Sequence, residues 1–380
     1  MRLLVLGGGQ LALMMCWEAQ RLPIRFSVYD GDKAAPAFRC ATPAEDVFSE
    51  IERSDAVTFE FENVDISAAE YAERLGKLRP ALQYLLVKKS RIEERKFFES
   101  LGVPTIPWRR ARGGEEALKI AEAMGKAMVK VPTGGYDGKG QYVFPREARA
   151  IAGLSGDLLV EEYVDIRREF SLVAVRSEDG DIYFYPPAQN YYVDGILVWN
   201  YAPTSAPQEA YEYASRVLER WRYVGVLAIE FFETADGRIL ANEIAPRVHN
   251  TAHWTLETDA SQFENHVRAV LGLPIRRLEA TKPVAMVNIL GVAYGELPVR
   301  ELEALGKIYW YGKAEVRPRR KMGHVNLTGS TVGEVVDKAR RALSMIYGRD
   351  FPKRVMRSVS RGIDYLATSL SAQPTSTSTG

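Results

Sequence analysis

The segment Val129 to Gln141, VKVPTGGYDGKGQ, constrains the fold more than any other stretch of the chain. Lys130 ends a predicted strand. A loop rich in glycine follows, with Gly134, Gly135, Gly138 and Gly140 set among Tyr136, Asp137 and Lys139. Glycine adopts positive φ without steric penalty, so such a loop can turn its backbone N–H groups toward one point. Convergent N–H groups beside a lysine suit a phosphate chain. The loop is not a Walker A, because GxxxxGK[ST] is absent, and no HRD or DFG follows to make it a kinase lid. The competing reading is a plain glycine-rich hairpin turn. The partners elsewhere in the sequence decide between them.

Composition narrows the classes. The chain has 380 residues, 46% apolar and 26% charged, which suggests two or three globular domains. Lys and Arg number 50 against 49 Asp and Glu, so no global field recruits nucleic acid or a membrane. Cys16 and Cys40 form no zinc or disulfide pattern and are expected to be reduced, buried thiols. No apolar run approaches the ~18 residues of a spanning helix. Met1 leads directly into a strand, so no signal peptide is expected and the location is expected to be cytoplasmic.

Apolar strands Arg2–Leu6, Arg25–Tyr29 and Val57–Phe61 alternate with helices, one of them read as opening at a capping box, Ser67 to Glu70. This βαβ alternation predicts a parallel-sheet domain over residues 1–88. A second domain is expected over 89–278, with a small lobe at about 104–166 that carries the glycine loop. A C-terminal domain is expected over 279–366, and the Ser/Thr-rich tail 367–380 is expected to be disordered. Ser90 and Thr331 are predicted helix caps.

Two acids form the strongest pair. Glu230 and Glu243 lie late in apolar strands joined around Asp236-Gly237. A two-residue turn sets them opposite each other, and a four-residue turn sets them diagonally. Either places both carboxylates on one sheet face, within about 4.5–8 Å. A three-residue turn would put them on opposite faces. Paired carboxylates on an apolar face need cations, and hard oxygen ligands beside phosphates imply Mg²⁺. Asn242 offers a neutral oxygen nearby. Arg247, His249 and Asn250 follow within a few residues. Arg247 suits a transferring phosphoryl group, and His249 and Asn250 suit a small oxyanion. One or more structural roles compete, since a lone histidine is more often part of a core.

Weaker signals surround these. The run Leu158 to Val164 leads an apolar strand into Glu161 and Glu162, with Tyr163 and Glu169 beyond; an extended edge with acids suits a nucleoside. The basic stretch Lys313 to Lys321, KAEVRPRRK, suits a phosphate monoester better than a nucleic acid. The turn GGGQLA with Asp30 also fits a dinucleotide fold, so a nicotinamide enzyme is the rival class.

In this order the motifs resemble the ATP-grasp superfamily, and within it the 5-(carboxyamino)imidazole ribonucleotide synthase family. The likeness runs from GGGQL through TFEFENV, KVPTGGYDGKGQ, YVGVLAIE, NEIAPRVHNTAHWT and WYGK to RPRRKMGHVNLTG. It implies an α/β (α+β) ATP-grasp fold with an N-terminal parallel-sheet pre-ATP-grasp domain and a small β-rich C-terminal domain. It also implies a homodimeric ligase of purine biosynthesis that uses ATP and Mg²⁺ to carboxylate aminoimidazole ribonucleotide with bicarbonate, through carboxyphosphate. By the resemblance, Arg91, Lys130, Gly135, Tyr136, Asp137, Gly138, Lys139, Gly140, Gln141, Glu161, Glu162, Tyr163, Val164, Glu169, Asn242 and Glu243 would bind ATP. Glu230 and Glu243 would hold the metal. Arg247, His249 and Asn250 would hold bicarbonate. Tyr136, Asp137, Lys139, Lys313, Arg317 and Arg320 would bind the ribonucleotide, with Glu60 or Glu62 beside them. The sequence departs from the family at Tyr192 (often His), Arg95 (commonly Lys), Arg319 (usually Gly) and Ala12 (Gly). Tyr192 is therefore left out of the expected site.

Overall fold

A computed structural model describes residues 1–134, 140–279 and 282–348. The predicted parallel sheet is present at the N-terminus. Its strands run in the order Thr42–Pro43, Arg25–Tyr29, Arg2–Leu6, Ala56–Phe59. Strand alternation divides the core: Leu3 and Val5 pack with the helix Gln10–Ala19, and Leu4 and Leu6 pack on the opposite face. The helix Ile66–Arg74 starts two residues earlier than the Ser67 box implies. Asp65 caps it, accepting the Ser67 and Ala68 N–H groups. Ser90 and Thr331 do cap the helices Arg91–Ser100 and Val332–Tyr347.

A four-stranded antiparallel sheet, in the order Trp108–Arg112, Asp157–Glu162, Ala127–Lys130, Gln141–Phe144, forms a separate layer with its own small core. Lys130 stands opposite Gln141, so the glycine loop joins two paired strands. Residues Gly135 to Lys139 of that loop lie outside the described residues, as does the tail.

The largest sheet has nine strands. Ile239–Ala245 is one edge, followed by Gly225–Thr234, Ile166–Arg176, Ala188–Val193 and Ile196–Ala202, with the short strand Ile182–Phe184 paired to Ile166–Arg176 beside this path. It then continues without a break through Val284–Leu290 and Lys321–Thr328 to Lys307–Trp310, so the C-terminal strands extend the central sheet. The parallel sheet docks on it through His266. The His266 Nδ1 accepts the Val226 N–H at 3.0 Å, and Nε2, 2.8 Å from Thr58 Oγ1, is left to donate. A Cβ at Gly225 would come within 2.9 Å of this ring, and Gly225 adopts φ +116, so only glycine fits there.

Three further features correct or refine the sequence reading. Cys16 and Cys40 are joined in a disulfide, not reduced. The turn Pro36–Arg39 docks on the glycine turn through Ala37 N–H and the Gly8 carbonyl, which brings Cys40 toward Cys16; a separation of 24 residues gives no pattern that would announce it. Tyr192 lies in the site, as described below. Arg319, where the resemblance expects glycine, takes φ +69, a left-handed conformation that costs an L-residue of order 1 kcal/mol.

Two stability tests follow. Cutting the disulfide by C16A/C40A should cost about 3 kcal/mol by the loop-entropy relation, read by chemical denaturation. Burial holds the His266 imidazole down at about 3, against an ordinary 6.5. A folded-state pKa below the unfolded one gives stability that is present above pH 6.5 and lost as pH falls, by up to about 1.4 kcal/mol per pH unit. H266N should therefore be less stable than wild type at pH 7.5, and the gap should narrow between pH 6.5 and 5.

Candidate active site

The hairpin carrying Glu230 and Glu243 has a three-residue turn, Ala235 to Gly237, with the Thr234 N–H bonded to the Arg238 carbonyl at 3.0 Å. Gly237 adopts φ +86, as the third position of such a turn requires. Glu233 stands opposite Ile239. This is the parity that would send the two acids to opposite faces. The structure nevertheless sets Glu230 directly opposite Glu243, because a bulge interrupts the ladder between Glu230 and Phe231. Ala241 pairs with Phe231, Glu243 pairs with Glu230, and Asn242 is the extra residue. The turn is the three-residue one that, from sequence, would separate the two acids; the bulge restores their register.

The two carboxylates and His249 have ligand atoms within 4.8 Å of one another. Glu230 is buried, and burial together with repulsion from Glu243 raises its carboxyl above the usual range. The Tyr192 hydroxyl is buried beside it without reaching hydrogen-bond geometry. Burial also pushes on Glu243, but Lys88, 2.9 Å away, outweighs that and holds the carboxyl low. Lys88 contacts Glu94 as well, at 3.2 Å. Sequence reasoning missed Lys88 and Glu94. Nothing in the local pattern of residues 88–94 separates them from exposed helix charges, and only tertiary packing buries them.

His249 is neutral, its imidazole held at about 3 by burial and by Arg247. The Thr251 N–H points at its Nδ1 at 3.5 Å, and Thr251 Oγ1 lies 2.9 Å from the same atom. That arrangement favours the proton on Nε2, which faces Glu230 Oε1 at 3.7 Å. Nε2 is then a donor, so the hard donor set is the two carboxylates.

Arg247, His249 and Asn250 converge as expected. They line a cleft of about 270 Å³ with Gln10, Glu60, Phe61 and Lys321, where all three parts of the chain meet. Arg247 donates from Nε and Nη2 to Glu62 Oε2 at 3.2 and 3.0 Å. Asn250 and Asn288 exchange amide hydrogen bonds at 2.8 and 3.2 Å, a partner the sequence did not reveal. Glu60 accepts the Gly9 N–H at 3.0 Å, and burial raises its carboxyl. Asp30 accepts the Gly8 and Asp32 N–H groups, so it closes the glycine turn.

Lys130 Nζ lies 2.5 Å from Glu161 Oε2, and Arg95 grips Glu161 Oε1 with Nε and Nη2 at 2.8 and 2.7 Å. The two cations outweigh burial and hold the Glu161 carboxyl at about 2. Arg91 Nη1 donates to the Val131 carbonyl at 2.6 Å, just before the glycine loop. Gly140, at φ +66, returns its carbonyl to the Val131 N–H. Gln141 faces Lys130 across the hairpin. The Glu162 and Tyr163 N–H groups are bonded to the Pro107 and Lys126 carbonyls, and Val164 packs on Ile106, Phe232 and Leu240. Glu169 stands opposite Phe232 and Asn190, close enough to Tyr192 to disfavour its ionisation.

The basic stretch divides. Lys313 lies 5.6 Å over the Tyr311 ring and lowers the carboxyl of Glu60 electrostatically. Arg317 is exposed and paired with Glu315, and Arg320 donates to the Glu315 carbonyl at 3.1 Å. The residue of this stretch that lines the cleft is Lys321, because it opens the strand Lys321–Thr328 while the arginines lie in the turn before it. Tyr136, Asp137, Lys139, Gly135 and Gly138 belong to the segment outside the described residues.

Comparison with known proteins agrees with this geometry. Family profiles match a ribonucleotide synthetase preATP-grasp domain at residues 1–89, an ATP-grasp domain at 96–263, and a phosphoribosylaminoimidazole carboxylase C-terminal domain at 284–338. The N5-carboxyaminoimidazole ribonucleotide synthase of Saccharolobus solfataricus is 42% identical over 353 residues, 90% of this chain and 95% of that protein. The crystal structure of the phosphoribosylaminoimidazole carboxylase ATPase subunit from Aquifex aeolicus matches with TM-score 0.78 and 37% identity, covering 91% of this chain and 100% of that one. The Aspergillus clavatus N5-carboxyaminoimidazole synthase, solved with ADP and 5-aminoimidazole ribonucleotide, matches with TM-score 0.80 and 27% identity over 91% and 98% of the chains. With carboxylate pair, lysine-backed glycine hairpin and three-part cleft all on one such scaffold, the chain belongs to the N5-carboxyaminoimidazole ribonucleotide synthase family of ATP-grasp ligases.

Proposed function

We propose that this chain carboxylates the exocyclic amine of 5-aminoimidazole ribonucleotide, consuming ATP and bicarbonate and releasing ADP and phosphate, in purine biosynthesis. The observation that carries the reading is the convergence of Glu230, Glu243 and His249 at a cleft lined by Arg247, Asn250, Glu60 and Lys321. Family membership removes the nicotinamide alternative. Asp30, the acid that suggested it, is taken up by the Gly8 and Asp32 amides.

The roles of individual residues are part of this proposal. Lys130 and Arg91 flank the start of the glycine hairpin, where they would clamp ATP phosphates. Glu161 keeps Lys130 in place through the 2.5 Å contact. The segment Glu162 to Val164, with Glu169, would border the nucleoside. Two hard carboxylates, one buried and one part-exposed beside His249, fit Mg²⁺. When bound, Mg²⁺ would neutralise phosphate charge during transfer. Arg247 and the Nε2–H of His249 would hold bicarbonate for attack on the γ-phosphoryl group, with Asn250 fixed by Asn288 as a third donor. Positioning and charge neutralisation then account for most of the rate. Carboxyphosphate hydrolyses in water, so transfer to the amine requires the cleft to exclude solvent. Glu60 and Lys313 stand where the ribonucleotide would enter, with Lys321 as the added cation of the wall.

A homodimer and a cytoplasmic location are further parts of the proposal, supported by the resemblance. No helix among the described residues is long and apolar enough to cross a membrane. Disulfides are rare in the cytosol of mesophiles but occur in intracellular proteins of hyperthermophiles, so the Cys16–Cys40 bond is compatible with a cytoplasmic location.

Phosphate release from ATP should require both bicarbonate and the ribonucleotide, and formate or amino acids should not replace bicarbonate. E243Q should reduce that release by about 100-fold or more. Stimulation by another acid, or an active E243Q, would overturn the assignment. In addition, the raised carboxyl of Glu230 retains a proton that a metal must displace. Metal uptake should therefore release protons and strengthen as pH rises from about 5 until Glu230 is ionised. Calorimetry in buffers of different ionisation enthalpy reads this directly.

A further inference from the structure

The bulge at Asn242 lies on the edge strand of the large sheet, which among the described residues faces no further strand, only an isolated bridge between Ala241 and Thr105. Three outward groups are nonetheless bonded. Ala241 N–H donates to the Pro104 carbonyl at 2.8 Å. The Asn242 carbonyl accepts Arg95 Nη1 at 2.6 Å. Ile244 N–H donates to Glu94 Oε1 at 2.8 Å. The outward N–H groups are three residues apart, where a regular strand would have them two apart. These partners are therefore matched to the bulged strand and mismatched to a regular one.

Glu94 and Arg95 are neighbours on the helix Arg91–Ser100, and both are buried, at 3% and 2% exposure. Each is anchored from behind. Lys88 holds Glu94, and Glu161 takes two donors of Arg95. The guanidinium therefore reaches from the acid that holds Lys130 to the carbonyl of the bulged residue. Without this grip, the three-residue turn favours a regular ladder with Glu230 opposite Asn242, and Glu243 on the other face.

We propose that Arg95 is a positioning residue for the carboxylate pair: with Glu94 it clamps the outer edge of the strand at the bulge and so holds Glu243 opposite Glu230. The proposal rests on the reading that this pair binds a divalent cation. It also makes Arg95 the link that sets the metal carboxylates and the phosphate-binding lysine in one frame, since both hang on the same side chain.

The test uses the full chain and Mn²⁺ alone, followed by loss of the free-ion EPR signal, together with hydrogen exchange at the Ile244 amide. R95M removes every donor, while Lys130 still balances Glu161. It should bind Mn²⁺ at least tenfold more weakly and lose at least tenfold in Ile244 protection, with amides of Ile166–Arg176 unchanged. R95K keeps a charged donor and should bind within threefold of wild type. Wild-type affinity in R95M, or a tenfold loss in R95K, would overturn the clamp. If R95M does not fold, R95Q decides, because it keeps a neutral donor for the Asn242 carbonyl. Affinity within threefold upholds the clamp, and a tenfold loss overturns it. If the wild type takes up no Mn²⁺, the metal reading itself fails, and Ile244 exchange in R95M then judges the clamp alone.

Discussion

Two carboxylates facing each other across one hairpin are the constraint around which the site is organised. Glu230 and Glu243 repel, and one of them is buried, so each needs compensation that its own strand cannot give. Lys88 supplies it to Glu243 from the end of a helix in another part of the chain. Glu230 instead holds its proton. The arrangement is unfavourable for folding taken alone, which is why it points to function: a divalent cation would relieve a repulsion that no core requires.

The same logic extends outward. Glu161 sits between Lys130 and Arg95, and Glu62 sits against Arg247, so these three cations are held by acids from other elements. Such pairs fix side-chain direction more than they add stability, because desolvation offsets most of the attraction. The scaffold that carries them is joined by neutral contacts. His266 ties the parallel sheet to the large sheet with both ring nitrogens. The Asn250–Asn288 pair ties the cleft to the C-terminal strands. A site assembled from three parts of the chain thus stays in register without relying on exposed ion pairs.

Much of this was legible beforehand. Apolar strands with βαβ spacing marked the N-terminal sheet, and Ser90 and Thr331 marked their helices, because capping and alternation are local. The two glutamates as candidate ligands, the Arg247 to Asn250 run and the lysine before the glycine loop stood out for the same reason: each lies within a few residues of a strand end. Lys88, Glu94 and Asn288 were not, since their roles depend on which face is buried, and Lys321 stood out only as part of the basic stretch, without its place in the cleft. The disulfide was missed because two cysteines carry no spacing code. Tyr192 was set aside as a departure, yet its ring is packed beside Glu230.

By itself, the sequence determined which residues carry charge and which strands and helices present them, since propensity, capping and alternation act over a few positions. Whether the two glutamates would meet was beyond it. The turn length argued against the meeting, and a one-residue bulge, paired to side chains about 150 positions away in the chain, reversed that outcome. Register is a property of the ladder and of what lies against its edge, so only the tertiary structure decides it.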